Sequence, residues 1–241
     1  MAAAPDSVAE AARDGEPDRY LAALYAPEPA RNIMIALAAF SADLTRIVAT
    51  VREPLLAEIR LQWWRDALGS AQRGEATGHP IADRLAPHLT SGLLPPGLLL
   101  GMIDAAPLPD LVALAADPQA LNAHLSKSAG AGFALAARAL GATHSDALDA
   151  ACRSAAASYG LARILAAAQK PPLSLIAAAR QAQPEALAAV HRLDTAYLPA
   201  FLPLTMTAAN LRQAEDGIAG APSPLTRWWR LARANLTGRL G

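Results

Sequence analysis

Punctuation is what most constrains this chain. Long runs dominated by Ala and Leu recur along it, and Pro and Gly stand mostly between those runs. Ala and Leu are strong helix formers because they lose little side-chain freedom in a helix, whereas Pro opens or ends one. The residues that favour strands are scarce: aromatics are 5% of the chain, and the apolar share comes mainly from Ala and Leu. A β-sandwich is therefore excluded and an all-α fold is expected. With 53% apolar residues over 241 positions, enough surface can be buried to offset ordering entropy, so disorder is excluded too.

Residues 1–17, rich in Ala and acids and carrying Pro5 and Pro17, are expected to form a mobile leader. Asp18 is expected to cap a short helix over 19–25, stopped before Pro27. Pro29 opens a helix over 30–51, in which Ile33, Leu37, Phe40, Leu44 and Ile47 recur at helical spacing as one core stripe. Pro54 starts the next helix, LLAEIRLQWWRDALGSAQRG, which Gly74 ends. Further segments begin at His79-Pro80 and run over 93–103. One helix is expected over 118–140 and another, capped by Ser145, over 146–169, stopped by Pro171 and Pro172. Segments over 184–192, 198–215 and 225–236 complete the chain. Neither a repeat, a linker nor an alternating strand pattern breaks residues 18–241, which read as a single all-α domain.

Charge and motif content exclude several classes of function. Lys+Arg and Asp+Glu both number 21, so no basic field exists to hold a nucleic acid. The lone Cys152 rules out a disulfide within the chain and a Cys-rich metal site, and reads as a small packing residue. The five histidines lack metal-binding spacing, and His124 reads as an ordinary helix histidine or, less simply, as a polar cavity residue. No phosphate loop, dinucleotide fingerprint or nucleophile elbow is present. The first residues carry acids before any base and lack an apolar signal core, so a cytoplasmic location is expected. The longest uncharged stretch, 195–211, is interrupted by Pro199, Pro203, Thr205, Thr207 and Asn210 and is expected to be buried or interfacial.

Little local chemistry presents itself. Asp146 and Asp149 lie one helical turn apart; they suit a small metal pair, but first-turn acids after a Ser145 cap more simply complement the helix dipole. Asp43 and Arg46 have the spacing of an intrahelical ion pair. Trp63 and Trp64 point about 100° apart on a helix, so one can enter the core while the other meets a neighbour. Near the end of the chain, Arg227, Arg230 and Arg233 share one helical face, from which Trp228, Leu231 and Leu236 turn away. Together with Trp229 they suit contact with a membrane surface or a partner protein, and equally an ordinary terminal helix with a solvated basic side.

Several segments together resemble the squalene/phytoene synthase family. They are Asp18-Arg19-Tyr20, Leu24-Tyr25-Ala26-Pro27, Arg31, Leu37-Ala38-Ala39-Phe40, Arg52-Glu53-Pro54, the run EIRLQWWRDAL over 58–68, His79-Pro80-Ile81-Ala82, Ala129-Gly130 with Leu140-Gly141, and residues 158–165. LQWWRDAL is the most specific. The branch it resembles is that of the non-carotenogenic bacterial members, which are similar to a mitochondrial respiratory complex I assembly factor. The resemblance implies a single-domain helical bundle of the isoprenoid synthase type around a central cavity. It also implies a chemistry, the head-to-head condensation of two prenyl diphosphates, for which two aspartate-rich motifs on facing helices hold Mg²⁺.

Both motifs are degenerate in this chain. The first would fall on Thr45, Arg46 and Ala49, and the second on Gly160, Ala167 and Pro171. Losing metal stabilisation of a leaving diphosphate costs several kcal/mol, and each ~1.4 kcal/mol is tenfold in rate. The expectation is a non-catalytic relative without metal or cofactor, binding an isoprenoid or other lipid, or a protein partner, in a role such as complex I assembly. Arg46 and Arg163 are its expected phosphate or lipid-headgroup contacts, and it would sit in the cytoplasm or peripherally at the inner membrane face. The alternative is a working Mg²⁺-dependent prenyltransferase with carboxylates displaced to Asp43, Glu53, Asp146 or Asp149.

Overall fold

Proline sets the starts of the helices. In the computed structural model, which describes residues 6–51, 53–216 and 222–240, Pro17, Pro54, Pro80, Pro96, Pro118 and Pro224 each stand in a first helical turn. There the missing N–H would have had no helical partner in any case. The order is α1 (Ser7–Gly15), α2 (Pro17–Ala23), α3 (Ala30–Thr50), α4 (Pro54–Gln72), α5 (Pro80–Thr90), α6 (Pro96–Asp104), α7 (Leu111–Ala116) and α8 (Pro118–Leu125). A π-turn (Ser126–Gly130) leads into α9 (Ala131–Ala139), and a second (Ala156–Gly160) joins α10 (Asp146–Ala155) to α11 (Leu161–Ala167). After α12 (Leu173–Val190) come 3₁₀ turns at Thr195–Tyr197 and Leu202–Met206 flanking α13 (Leu198–Phe201), then α14 (Thr207–Asp216) and α15 (Pro224–Thr237). No strand occurs among the described residues. The fold is all-α, as the composition requires.

Helix α3 is the central element. Ile33, Ala36, Leu37, Ala39, Phe40, Leu44 and Ile47 are buried along it, and Phe40 meets Trp64 of α4 edge-on at 4.9 Å. An 18-residue window of it, with a mean hydropathy of 1.6, would let it cross a membrane by length and composition alone, but 61% of that window is buried within the protein. A second apolar cluster gathers Phe133, Tyr159 and Phe201, with Phe133 stacked on Phe201 at 5.5 Å.

Several boundaries differ from the sequence reading. Residues 7–15, expected to be mobile, form α1, capped by Asp6 and packed on α3 through Val8 and Ala12, both fully buried. Gly15 lies so close to α3 that a Cβ there would stand 2.4 Å from the Ala42 Cβ. Only residues 1–5 of the expected leader lie outside the described residues. Asp18 does not cap: the helix begins at Pro17, and Asp18 is buried inside its first turn. Residues 184–192 are not a separate helix, because Pro184 sits within α12, whose buried face (Leu175, Ile176, Ala179, Ala186, Ala189, Val190) continues through it. Burial of that face outweighs the one lost backbone bond. The 195–211 stretch is largely buried, with Phe201, Leu202, Leu204 and Met206 wholly enclosed.

Candidate functional site: a cavity between two π-turns

The helices expected over 118–140 and 146–169 are each interrupted by a π-turn, and the two turns face each other. A Cβ on Gly160 would stand 2.4 Å from the Ala129 Cβ, and one on Gly130 3.6 Å from the Ala156 Cβ. Small residues let the backbones meet there, and π-turns widen a helix locally, often at functional sites. Beside the contact opens a cavity of about 280 Å³. The π-turns present Ser128, Ala129, Tyr159 and Gly160 to it. Leu44, Thr45, Val48 and Ala49 of α3, Met102 and Ala105 from the end of α6, and Arg163, Ile164 and Ala167 of α11 form the other walls. Thr45, Ala49, Ala167 and Leu108 are exposed and mark the mouth.

Buried carboxylates and half-buried guanidiniums adjoin this apolar space. Arg163, on the cavity wall, donates to Glu16, which also accepts from Ser41 Oγ at 2.8 Å. Arg19 Nε is 3.9 Å from the same carboxylate, has no hydrogen-bond partner among the described residues, and its guanidinium lies 5.6 Å over the Phe133 ring. One carboxylate thus faces two guanidiniums. Desolvation pushes the Glu16 pKa up, but Arg163 and Arg19 outweigh it and hold the carboxyl below its ordinary range. A second pair adjoins the first: Asp18 accepts from Tyr159 Oη at 3.0 Å and from Arg227 of α15. For Asp18 burial prevails over the attraction of Arg227, and its pKa is raised. Burial and the adjacent Asp18 push the Tyr159 hydroxyl up, so it stays a proton donor.

Of the positions on which the resemblance would place the two motifs, Thr45, Ala49, Gly160 and Ala167 line this one cavity, as does Arg163. Arg46 does not. It is 70% exposed and pairs with Asp43, whose other oxygen accepts from Trp64 Nε1 at 2.8 Å. Its expected headgroup contact in the cavity is therefore corrected: α3 turns Arg46 outward while Thr45 and Ala49 face in. Pro171 lies past the end of α11 and is not part of the wall. Asp146 and Asp149 occupy the first turn of α10, with Asp149 3.4 Å from His144 Nδ1, and neither they, Asp43 nor Glu53 line the cavity. His124 does line it, and burial lowers its pKa, favouring the neutral ring. On α15, Arg227 is buried against Asp18, which corrects its expected place among the membrane or partner contacts, while Trp228, Trp229 and Arg233 are exposed and Arg230 is half-buried.

The sequence reading missed Glu16, Arg19, Tyr159 and the inward role of Asp18. The one available signal was the pair Tyr159 and Arg163, four residues apart within the otherwise apolar run AASYGLARILAA, where a helix puts both on one side. Nothing local announced their partners, which are 141 and 147 residues away.

The chemistry of the wall can be compared with the Mg²⁺-diphosphate chemistry of isoprenoid synthases. Magnesium is bound through oxygens, carboxylates above all. No Asp or Glu lines this cavity, and among the described residues no cluster of three or more His, Cys, Asp or Glu side chains converges. Two arginines, Arg19 and Arg163, line the same space and repel a cation, so these residues do not fit the metal.

The family model for squalene/phytoene synthase matches residues 12–171, about two-thirds of the chain. The chain belongs to the squalene/phytoene synthase family. No curated protein and no solved structure matches it. In this family member the matched span runs from the last turns of α1 through α11 and contains every wall of the cavity. Helix α15, which supplies Arg227, lies beyond it.

Proposed function

We propose that this squalene/phytoene synthase relative is non-catalytic and holds one amphiphilic lipid, its chain in the cavity and its anionic head at Arg163 and Arg19. The observation carrying this reading is a mostly apolar wall without carboxylates, with two guanidiniums sharing the single carboxylate of Glu16. That leaves one positive charge over, which suits a carboxylate or phosphate head and repels divalent cations. Size supports it as well. Head-to-head condensation seats two prenyl chains at once, whereas about 280 Å³ lies at the lower edge of pockets for a single small molecule, roughly 300–1,000 Å³.

Two assays test the reading. Incubation with farnesyl or geranylgeranyl diphosphate and Mg²⁺ is expected to release no diphosphate; Mg²⁺-dependent release overturns the proposal in favour of a prenyltransferase. Titration with a fluorescent polyene fatty acid is expected to saturate. Filling the mouth with Ala167→Phe should abolish that saturation, and Arg163→Gln should weaken it. The cellular role we attach to it is respiratory complex I assembly, supported by the resemblance carried on EIRLQWWRDAL. Cells lacking the chain should lose NADH:quinone oxidoreductase activity, and a normal level in such cells would sink that role.

A further inference from the structure

We propose that the outer face of α15 docks on an anionic bilayer surface. The helix is fixed at both ends: Ser223 caps it, and Gly238 ends it in the left-handed conformation at φ 66°. Its inner face carries Leu231, Ala234 and Arg227, and the Arg227–Asp18 pair sets the rotation of the helix about its axis. What turns outward is then apolar. Leu225, Trp228, Trp229 and Leu236 are exposed by 79%, 55%, 64% and 84%. At 100° per residue these four fall within an arc of about 100°. Four large side chains on one exposed stripe are a contact surface, because water offers them nothing.

Charge selects the occupant. Residues 222–240 contain four arginines and no acid. Arg227 is neutralised internally by Asp18, whereas Arg230 and Arg233, on one flank of the Trp stripe, have no carboxylate within ion-pair distance among the described residues. Both border a groove of about 730 Å³ beside Trp229, along with Arg239. Guanidiniums bind phosphate oxygens in pairs, and Trp rings settle at the level of lipid headgroups. Together they match an anionic bilayer, whose surface potential strengthens partitioning by about fivefold per arginine. Helix α4 supplies the contrast. Its exposed Leu55, Leu56, Ile59 and Trp63 are interleaved with Glu58, Arg60, Arg65 and Asp66, so no single sign of charge accompanies them.

The test is flotation of the full chain with phosphatidylcholine vesicles, with and without phosphatidylglycerol. Binding is expected only to the anionic vesicles and should fall at least about tenfold at 1 M salt, where the Debye length is about 3 Å. Trp228→Ser with Trp229→Ser should abolish it. Both rings are exposed, so circular dichroism and unfolding should not change. Arg230→Gln with Arg233→Gln, which keeps the Trp stripe, should weaken binding about 25-fold by the same fivefold step. Equal binding to both vesicle types, no binding to either, or undiminished binding by the Trp variant would overturn the proposal. So would loss of binding through Ile59→Ser on α4, or a dimer in light scattering that the Trp substitutions dissolve.

Discussion

Arg227 of α15 and Asp18 of α2 are joined as an ion pair across 209 residues of chain, with side chains only 11% and 6% exposed. A desolvated pair costs far more to break than it contributes when intact. Arg227→Ala is therefore expected to destabilise the protein by about 3–5 kcal/mol in urea unfolding at neutral pH. Replacing both partners, as in Asp18→Leu with Arg227→Met, should recover most of that loss, because no buried charge is then left alone. A loss below about 1 kcal/mol in the single variant would mean that water reaches the pair.

Acid sensitivity should trace to Glu16. Its folded pKa lies below the ordinary 4.5, so the unfolded chain takes up a proton first. Stability from this group is present above pH 4.5 and is lost as the pH falls through the lower folded value. Asp18 works in the opposite sense: its folded pKa is raised, so its contribution is greatest at low pH and fades as the pH rises through that value. Glu16→Gln, though less stable at neutral pH, should flatten the fall in unfolding free energy below pH 4.5. An unchanged slope would show that Glu16 is not the group responsible.

The contact between the π-turns should tolerate no added carbon. Gly160→Ala places a Cβ 2.4 Å from that of Ala129, closer than two carbons can approach, so the turns must shift apart. A destabilisation of about 1–3 kcal/mol is expected. Adding Ala129→Gly should restore part of it, and a double-mutant cycle measures the coupling. Additive effects would mean that the two turns do not touch.

Cys152 should be inert in the folded protein. It is buried, and desolvation, with Asp149 nearby, pushes its pKa up to about 12. At pH 8 the thiolate fraction is then on the order of one in ten thousand. Labelling by an aromatic disulfide reagent should follow the urea-induced opening of the chain, and rapid labelling without denaturant would contradict this burial.

The helical architecture was legible because its signals are local. Pro54, Pro80, Pro96 and Pro118 start helices where their geometry requires, and the Ile33–Ile47 stripe of α3 is the core stripe that its spacing predicts. The motif positions Thr45, Ala49, Gly160 and Ala167 came together as two facing helices demand. What escaped was set by distant parts of the chain. Asp18 looks like a cap until Arg227 and Tyr159 surround it, whereas the Asp43–Arg46 pair that keeps Arg46 outside is local and was announced by its spacing. The π-turns escaped too, because the widening depends on Gly160 meeting Ala129, a tertiary contact. Helix α1 was hidden for the same reason: its short apolar face acquires meaning only against α3.

The long reach of these ion pairs also orders the birth of the molecule. A ribosome delivers Glu16 and Asp18 early, while Arg163 follows Glu16 by 147 residues and Arg227 follows Asp18 by 209. Sealing either carboxylate from water before its counter-ion exists is prohibitively costly. Helix α2 is thus made before the arginines that pair with its carboxylates, and Glu16 and Asp18 stay hydrated until Arg163 and Arg227 have followed them.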